Sequence, residues 1–234
     1  MEKVGHEGRM SYKSVFQNEH FIIVDKSPNV LSVPSRLGKA ETRLCLGHIL
    51  EKDLGKTIYP VHRLDFEVQG LILYALTPLA QKAGNAWFEQ KTIKKTYSAL
   101  TKSIKKSPAD FAGEKSAGDF LIGEEMKWTC KLLRGKKRAY ESPHGKDSET
   151  RAKLEFIDES GLSHWELSPI TGRSHQLRYE LYRHNEPIVG DVLYGSTSPF
   201  HSEGIALRAF KIDFSLCLNR ELFLLPEIIL LKSF

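Results

Sequence analysis

The chain has 234 residues, 41% of them hydrophobic and 27% charged, with a net charge of +5 and a pI near 9.0. That length can bury a sizeable core, and the modest basic excess fits a polyanionic partner. Three scattered cysteines, Cys45, Cys130 and Cys217, argue against a disulfide framework and a cysteine-based zinc site. The first 20 residues hold no apolar run, so no signal peptide is expected. Residues 222–231 are apolar but interrupted by Pro226 and Glu227, and are too short to span a bilayer. The expectation is a soluble, cytoplasmic protein with no membrane contact.

Residues 1–13 read as a flexible N-terminal arm and 14–234 as one domain. Phe21-Ile22-Ile23-Val24 is a β-rich run ended by the turn signal Asp25-Lys26-Ser27-Pro28. Residues 42–54 carry Leu46, Ile49, Leu50 and Leu54 at helical spacing, stopped by Gly55. A buried strand is expected over 70–76. Thr77-Pro78 then supplies a capping residue and a first-turn proline for a helix to about Gln90, with Leu79, Ala83, Ala86 and Trp87 inward. Residues 96–101 read as a strand, 103–118 and 143–148 as surface loops, and 152–157 with 164–167 as a hairpin turned near Gly161. A short helix is expected over 174–184, capped by Ser174. Ile205, Leu207 and Ala209 alternate, and Ile212 and Phe214 resume the alternation after a shift at Phe210. Many strands and few helices, without strict βαβ alternation, indicate an α+β fold with a mixed, largely antiparallel sheet and flanking helices.

Two segments carry the chemistry. Val61-His62-Arg63-Leu64-Asp65-Phe66-Glu67-Val68-Gln69-Gly70 sets an aspartate in a turn between apolar strands, a usual place for a reacting group. The plain alternative is a turn whose aspartate accepts backbone hydrogen bonds. Ile170-Thr171-Gly172-Arg173-Ser174-His175-Gln176-Leu177-Arg178 leads into a helix that would aim the Arg178 guanidinium; here the alternative is a surface helix pairing Arg178 with Glu180 or a nearby loop.

His62-Arg63-Leu64-Asp65 and Gly172-Arg173-Ser174-His175-Gln176-Leu177-Arg178 closely resemble the two signature motifs of RluA-type RNA pseudouridine synthases. Residues 187–195 match the tail of the second motif. Residues 21–34 resemble the family's opening strand-turn-strand, and Lys95-Thr96-Tyr97-Ser98-Ala99-Leu100 its tyrosine motif. The resemblance covers roughly residues 14–216 and looks like a compact member without an extra N-terminal RNA-binding module. It implies that family's catalytic fold with a central cleft. It also implies isomerisation of specific uridines in structured RNA, rRNA or tRNA, to pseudouridine, with no cofactor and no metal. The glycosidic bond breaks, the uracil turns, and a carbon–carbon bond forms. Asp65 corresponds to the catalytic aspartate, as nucleophile or as proton acceptor. Arg178 corresponds to its arginine partner, Tyr97 to the tyrosine stacked on the flipped base, and Leu177 to the apolar residue on the other side of the uracil. Arg63 corresponds to the residue that fills the gap left in the RNA, and His62 and Arg173 are expected near the substrate.

Some positions depart from the family pattern. Val68 and Gln69 stand where relatives usually have Thr-Ser, Glu180 where many have histidine, and Arg208 where a late strand often has histidine. This raises a second reading, an RNA-binding relative with impaired turnover. A glycosidase or nucleoside hydrolase using Asp65 and Glu67 is a remote third. Two basic groups, Lys91, Lys94, Lys95, Lys102, Lys105 and Lys106, then Lys127, Lys131, Arg134, Lys136, Lys137 and Arg138, hold no intervening acid. From them Lys94, Lys95, Lys136, Lys137 and Arg138 are expected to meet the RNA backbone. The compact relatives imply a monomer. Phosphate-binding glycine loops, H-E-x-x-H and G-x-S-x-G are absent.

Overall fold

The computed structural model describes residues 2–4, 10–35, 38–104 and 120–234. In chain order its elements are β1 (Glu2–Val4), β2 (Met10–Gln17), β3 (Phe21–Lys26), α1 (Leu46–Leu54), β4 (Tyr59–Pro60), β5 (Gln69–Ala75), α2 (Pro78–Glu89), β6 (Lys94–Thr101), β7 (Glu125–Arg134), β8 (Ala139–Glu141), β9 (Lys146–Ile157), β10 (Ser163–Pro169), α3 (Gln176–Arg183), β11 (Leu207–Asp213) and β12 (Ile228–Leu230). The fold is α+β, with few helices and mostly antiparallel strand pairing, as the sequence indicates. The chain divides into two compact units, Met1–Lys94 with Ala209–Leu231, and Lys95–Arg208 with Lys232–Phe234, where the sequence suggests one domain.

In the first unit the strands run β1-β2-β3-β5-β11, with β4 on β5 and β12 on β11. Phe21, Ile22, Ile23 and Val24 are all almost fully buried, as are Leu71, Ile72, Leu73 and Tyr74. These runs are apolar without alternation because both faces of their strands are covered. Phe21, Ile23, Leu71 and Leu73 share one core with Trp87, Ile212, Phe214 and Phe223. The helix α2 begins as expected, with the Thr77 hydroxyl accepting from Ala80 N at 3.2 Å. Its buried stripe is Ala80, Gly84 and Trp87, whereas Leu79, expected inward, is exposed. The spacing i, i+4, i+7 starting at Ala80 defines the inner face, and Leu79 falls one residue outside it. The helix α1 starts four residues later than expected, after an extended Cys45, and ends at Gly55 with φ 62°. Residues assigned to the loose arm are also strand: Glu2–Val4 pairs with β2, and Tyr12 and Lys13 pair with Lys26 and Asp25 of β3.

Gly70 allows β5 to lie against β11. Its φ is 113°, and a Cβ there would come within 2.2 Å of Ala209 O. Gly70→Ala therefore combines backbone strain of about 1–3 kcal/mol with a collision against main chain, which cannot rotate away. The expected result is a clearly lowered melting temperature and a poor soluble yield, read by thermal unfolding of the purified variant.

In the second unit the strand order is β6-β10-β9-β7-β8. The register sets Tyr97 opposite Leu167, Ala99 opposite Trp165, and Trp128 opposite Thr150. That face receives α3. Gln176 Nε2 donates to Thr150 Oγ1 at 2.9 Å, Arg183 Nη2 to Thr129 O at 3.1 Å, and Cys130 Sγ to Glu180 Oε1 at 3.2 Å. The His184 ring stacks on Trp128 at 4.3 Å. Nearly the whole helix is buried, so it is not a surface helix, and Glu180 takes Arg183 Nε at 2.6 Å rather than Arg178.

No strand is expected over β7 from the sequence; its inward positions Trp128, Cys130 and Leu132 alternate with exposed Lys127, Thr129 and Lys131. Residues 143–148 are expected as a loop, whereas β9 begins at Lys146 and buries Ser148. The loop expected over 103–118 lies outside the described residues, apart from 103 and 104.

Candidate active site

In the first unit the Asp65 turn is held from beneath by two residues of the opening strand-turn segment. Ser32 Oγ accepts from Leu64 N at 3.0 Å and donates to Leu64 O at 2.8 Å. Lys26 continues the buried parity of Ile22 and Val24, and its side chain is wholly buried. Its Nζ donates to Ser27 O at 3.0 Å, Val30 O at 2.9 Å and Phe66 O at 3.3 Å. Three carbonyls match the three hydrogens of an ammonium group. Burial pulls Lys26 down to about 7, while the charges of Asp65 and Glu67 pull it back up. Asn29 N donates to Phe66 O at 2.8 Å, and Val68 N closes the turn on Asp65 O at 3.2 Å. Asp65 itself is half-buried at the turn, with exposed Arg63 beside it in sequence.

Main chain, Ser32 and Lys26 thus each supply hydrogen bonds to the turn. Val68 is packed in the interior and Gln69 opens β5. His62 is built into this framework as well: its Nε2 accepts from Leu73 N at 2.9 Å, and its ring lies 4.8 Å from that of Phe88. Arg43 reaches the same turn, with its guanidinium 5.1 Å over the Phe66 ring and a bidentate grip on Glu41.

Lys26→Met removes the side-chain donor to Phe66 O and Val30 O. Phe66 O keeps Asn29 N, but Val30 O loses its Lys26 partner inside the protein. The expected cost is about 2 kcal/mol of stability, together with a fall in turnover larger than any change in RNA affinity. Chemical denaturation and steady-state kinetics on the same preparation check both.

In the second unit the segment before α3 is organised by Gln176. Its Oε1 accepts from Arg173 N at 2.9 Å and Thr171 Oγ1 at 2.8 Å, and its Nε2 donates to Glu149 O at 2.9 Å. His175 takes a left-handed conformation, φ 56°, at the helix start. Ser174, expected as the cap, is exposed, and the Gln176 amide ties down the preceding loop instead. Arg173 Nε donates to Asp147 O at 2.8 Å. One turn into the helix, Arg178 meets Asp191 in a bidentate pair, Nε to Oδ2 at 2.7 Å and Nη2 to Oδ1 at 2.8 Å, with both side chains almost fully buried. The Tyr194 ring lies against the guanidinium, 5.4 Å from Cζ. Such a fork fixes the plane of the guanidinium as well as its place.

Tyr97 and Leu177 are both buried in this unit. Lys95, two residues before Tyr97 on the same strand, holds Nζ 5.9 Å over the Tyr97 ring, and burial pulls it down to about 8. Lys94 ends the first unit and is exposed. Lys136, Lys137 and Arg138 form the exposed tip between β7 and β8, while Lys105 and Lys106 lie outside the described residues. Among the described residues no three His, Cys, Asp or Glu side chains gather as a metal site would need, and no helix is long and apolar enough to cross a membrane. The sequence alone assigns no role to Lys26, Ser32, Gln176, Asp191 or Tyr194. A lysine at a buried parity of an apolar strand is the one sign for Lys26; Asp191 lies inside the second motif's tail, and its partner is visible only in three dimensions.

The family model described as RNA pseudouridylate synthase matches residues 20–183, which includes the Asp65 turn and all of α3. The dual-specificity RNA pseudouridine synthase RluA of Yersinia pestis is 32% identical over 180 residues, 77% of this chain and 80% of that protein. The tRNA pseudouridine synthase C of Vibrio parahaemolyticus is 28% identical over 214 residues, 86% and 83% of the two chains. A solved structure of human RNA pseudouridylate synthase domain containing 1 shares the fold, with a TM-score of 0.63 at 21% identity, covering 87% of this chain and 78% of that one. The match across both motif-bearing segments, at this identity and coverage, means that the chain belongs to the RNA pseudouridylate synthase family, as an enzyme of the RluA type.

Proposed function

We propose that this enzyme converts specific uridines of structured tRNA or rRNA to pseudouridine, with Asp65 as the catalytic carboxylate and the target base extruded from its helix. Residues 14–234 then act as one catalytic domain. The observation that carries the reading is the bracing of the Asp65 turn by Ser32 and by the buried Lys26 ammonium. A reacting group must be held within a fraction of an ångström, and these bonds fix the main chain on either side of Asp65. Because the departing uracil is retained and re-used, one carboxylate suffices where a hydrolase would need a second to activate water.

Tyr97 and Leu177 are assigned to the two faces of the uracil, Arg178 to the counter-charge of the carboxylate, and Arg63 to the space the base vacates. Their supports are the match of both motifs and the rigid seat of Arg178 on Asp191. The tRNA in the name of the Vibrio relative and the dual specificity in that of the Yersinia relative support tRNA among the substrates, with more than one RNA accepted. The departure at Val68 and Gln69 does not favour an inactive reading, since the turn is bonded without side-chain hydroxyls there.

Transcripts of tRNA and rRNA, incubated with the enzyme, are mapped by carbodiimide treatment and primer extension. The expected result is one or a few discrete stops at uridines in stem-loops. Modification spread over unstructured uridines would overturn the substrate assignment.

A further inference from the structure

The second basic group is less uniform than its sequence implies. Along β7 its charges are answered across the ladder: Lys127 pairs with Glu149 at 3.3 Å, and Lys131 stands opposite Asp147. At the tip between β7 and β8 the situation differs. Arg134, Lys136, Lys137 and Arg138 are exposed and, among the described residues, none of the four makes an ion pair. The phosphate-binding capacity of this strand pair is therefore concentrated in the hairpin tip.

Two routes connect that tip to Arg178, and both pass through Tyr194. The first is a series of ring contacts. The Arg138 guanidinium lies 5.8 Å over the Tyr182 ring, the Tyr182 and Tyr194 rings are 5.8 Å apart, and Arg178 lies 5.4 Å over Tyr194. The second is through the Tyr194 hydroxyl, which accepts from Ala139 N at 2.8 Å and lies 3.3 Å from Ala139 O and 3.2 Å from His175 Nδ1. Ala139 directly follows Arg138, and His175 opens α3, the helix that carries Arg178. Tyr194 is completely buried and packs with Leu132 of the same hairpin. Burial pushes its hydroxyl up to about 12, so it keeps its single proton for these bonds. A residue that served only as core filling would not need its hydroxyl on one backbone and its ring face on a catalytic cation.

We propose that Tyr194 is a positioning residue that couples RNA-backbone contact at the β7–β8 hairpin tip to the orientation of Arg178. The inference rests on the proposed isomerase reading and deepens it: the enzyme registers a correctly seated RNA backbone in turnover as well as in affinity. Spatial continuity alone does not establish coupling, so the test is a double-mutant cycle read in kcat.

The substrate is tRNA and rRNA transcript carrying tritium at uracil C5, with Asp65→Asn as control. Replacing Lys136, Lys137 and Arg138 together by alanine is expected to raise KM and lower kcat about fivefold. Tyr194→Phe, which keeps the ring and loses the hydroxyl, is expected to lower kcat about fivefold with little change in KM. In the Tyr194→Phe background, which keeps only the ring route, the tip substitutions should raise KM and lower kcat by clearly less than the roughly fivefold they cost the wild type. Arg138→Lys, at an exposed position that cannot compromise folding, keeps the phosphate charge but stacks poorly on Tyr182. It should preserve KM and still lower kcat. Independent, multiplying losses in the cycle, or an Arg138→Lys enzyme with unchanged kcat, would overturn the coupling while leaving the isomerase reading intact. A wild type that releases no tritium would overturn both.

Discussion

Asp65→Asn binds tRNA and rRNA transcripts within about twofold of the wild type and releases no measurable tritium from uracil C5, a loss of at least about 10²–10⁴-fold in kcat. Asparagine matches aspartate in shape but can neither attack the ribose nor accept a proton. The fold survives because the main chain of the turn is held on both sides: Leu64 by Ser32, Phe66 O by Asn29 N and Lys26, and Asp65 O by Val68 N. One local consequence has a definite sign. The Asp65 charge raises the Lys26 pKa, so its removal moves that ammonium below the value near 7 that it has in the intact site. Filter binding and tritium release measured on one preparation check affinity and turnover together. A variant with full activity would remove Asp65 from the chemistry.

Asp191→Asn is expected to damage both stability and turnover. Asp191 and Arg178 form a bidentate pair with almost no solvent contact. An amide presents one acceptor and one N–H₂ group, so one of the two guanidinium bonds is replaced by opposed donors, and the buried cation loses its neutralising charge. Breaking one side of such a pair costs about 3–5 kcal/mol, on the order of 10 °C in melting temperature for a chain of this size. Arg178→Ala should likewise lower stability as well as turnover, because the helix that carries it is an interior one. Thermal unfolding of Asp191→Asn beside that of Asp65→Asn separates the two roles. A large shift for the first and a small one for the second is expected, and equal melting temperatures would contradict the account.

What could be read from the sequence follows the range of the interactions. The strands β3 and β5 were legible because burial on both faces makes a continuous apolar run, and α2 because Thr77 and Pro78 are local signals. The strand β7 is harder to read, because Lys127, Thr129 and Lys131 interrupt its inward Trp128, Cys130 and Leu132. Leu79 lies outward because Ala80, Gly84 and Trp87 set the inner face, one residue out of phase with it. The residues proposed to carry the chemistry, Asp65, Tyr97, Leu177 and Arg178, could be picked out through their motifs. Their supports could not. Ser32 reaches Leu64 across 32 positions, and Lys26 reaches Phe66 across 40. Asp191 lies 13 residues from Arg178, and Tyr194 lies 55 from Ala139. No local pattern records such pairings. Glu180, a departure from the family pattern, also became intelligible only in three dimensions, as the buried partner of Arg183 and Cys130.

The most direct test of the central claim, an isomerisation centred on Asp65, measures two products at once on tRNA and rRNA transcripts labelled at uracil C5: tritium released to water, and free uracil. The account predicts tritium release by the wild type with no free uracil and an intact RNA chain, and neither product from Asp65→Asn. Free uracil that still carries its tritium, with none released to water, would mean hydrolysis, and no release from any transcript the protein binds would mean binding without turnover; either result would contradict it.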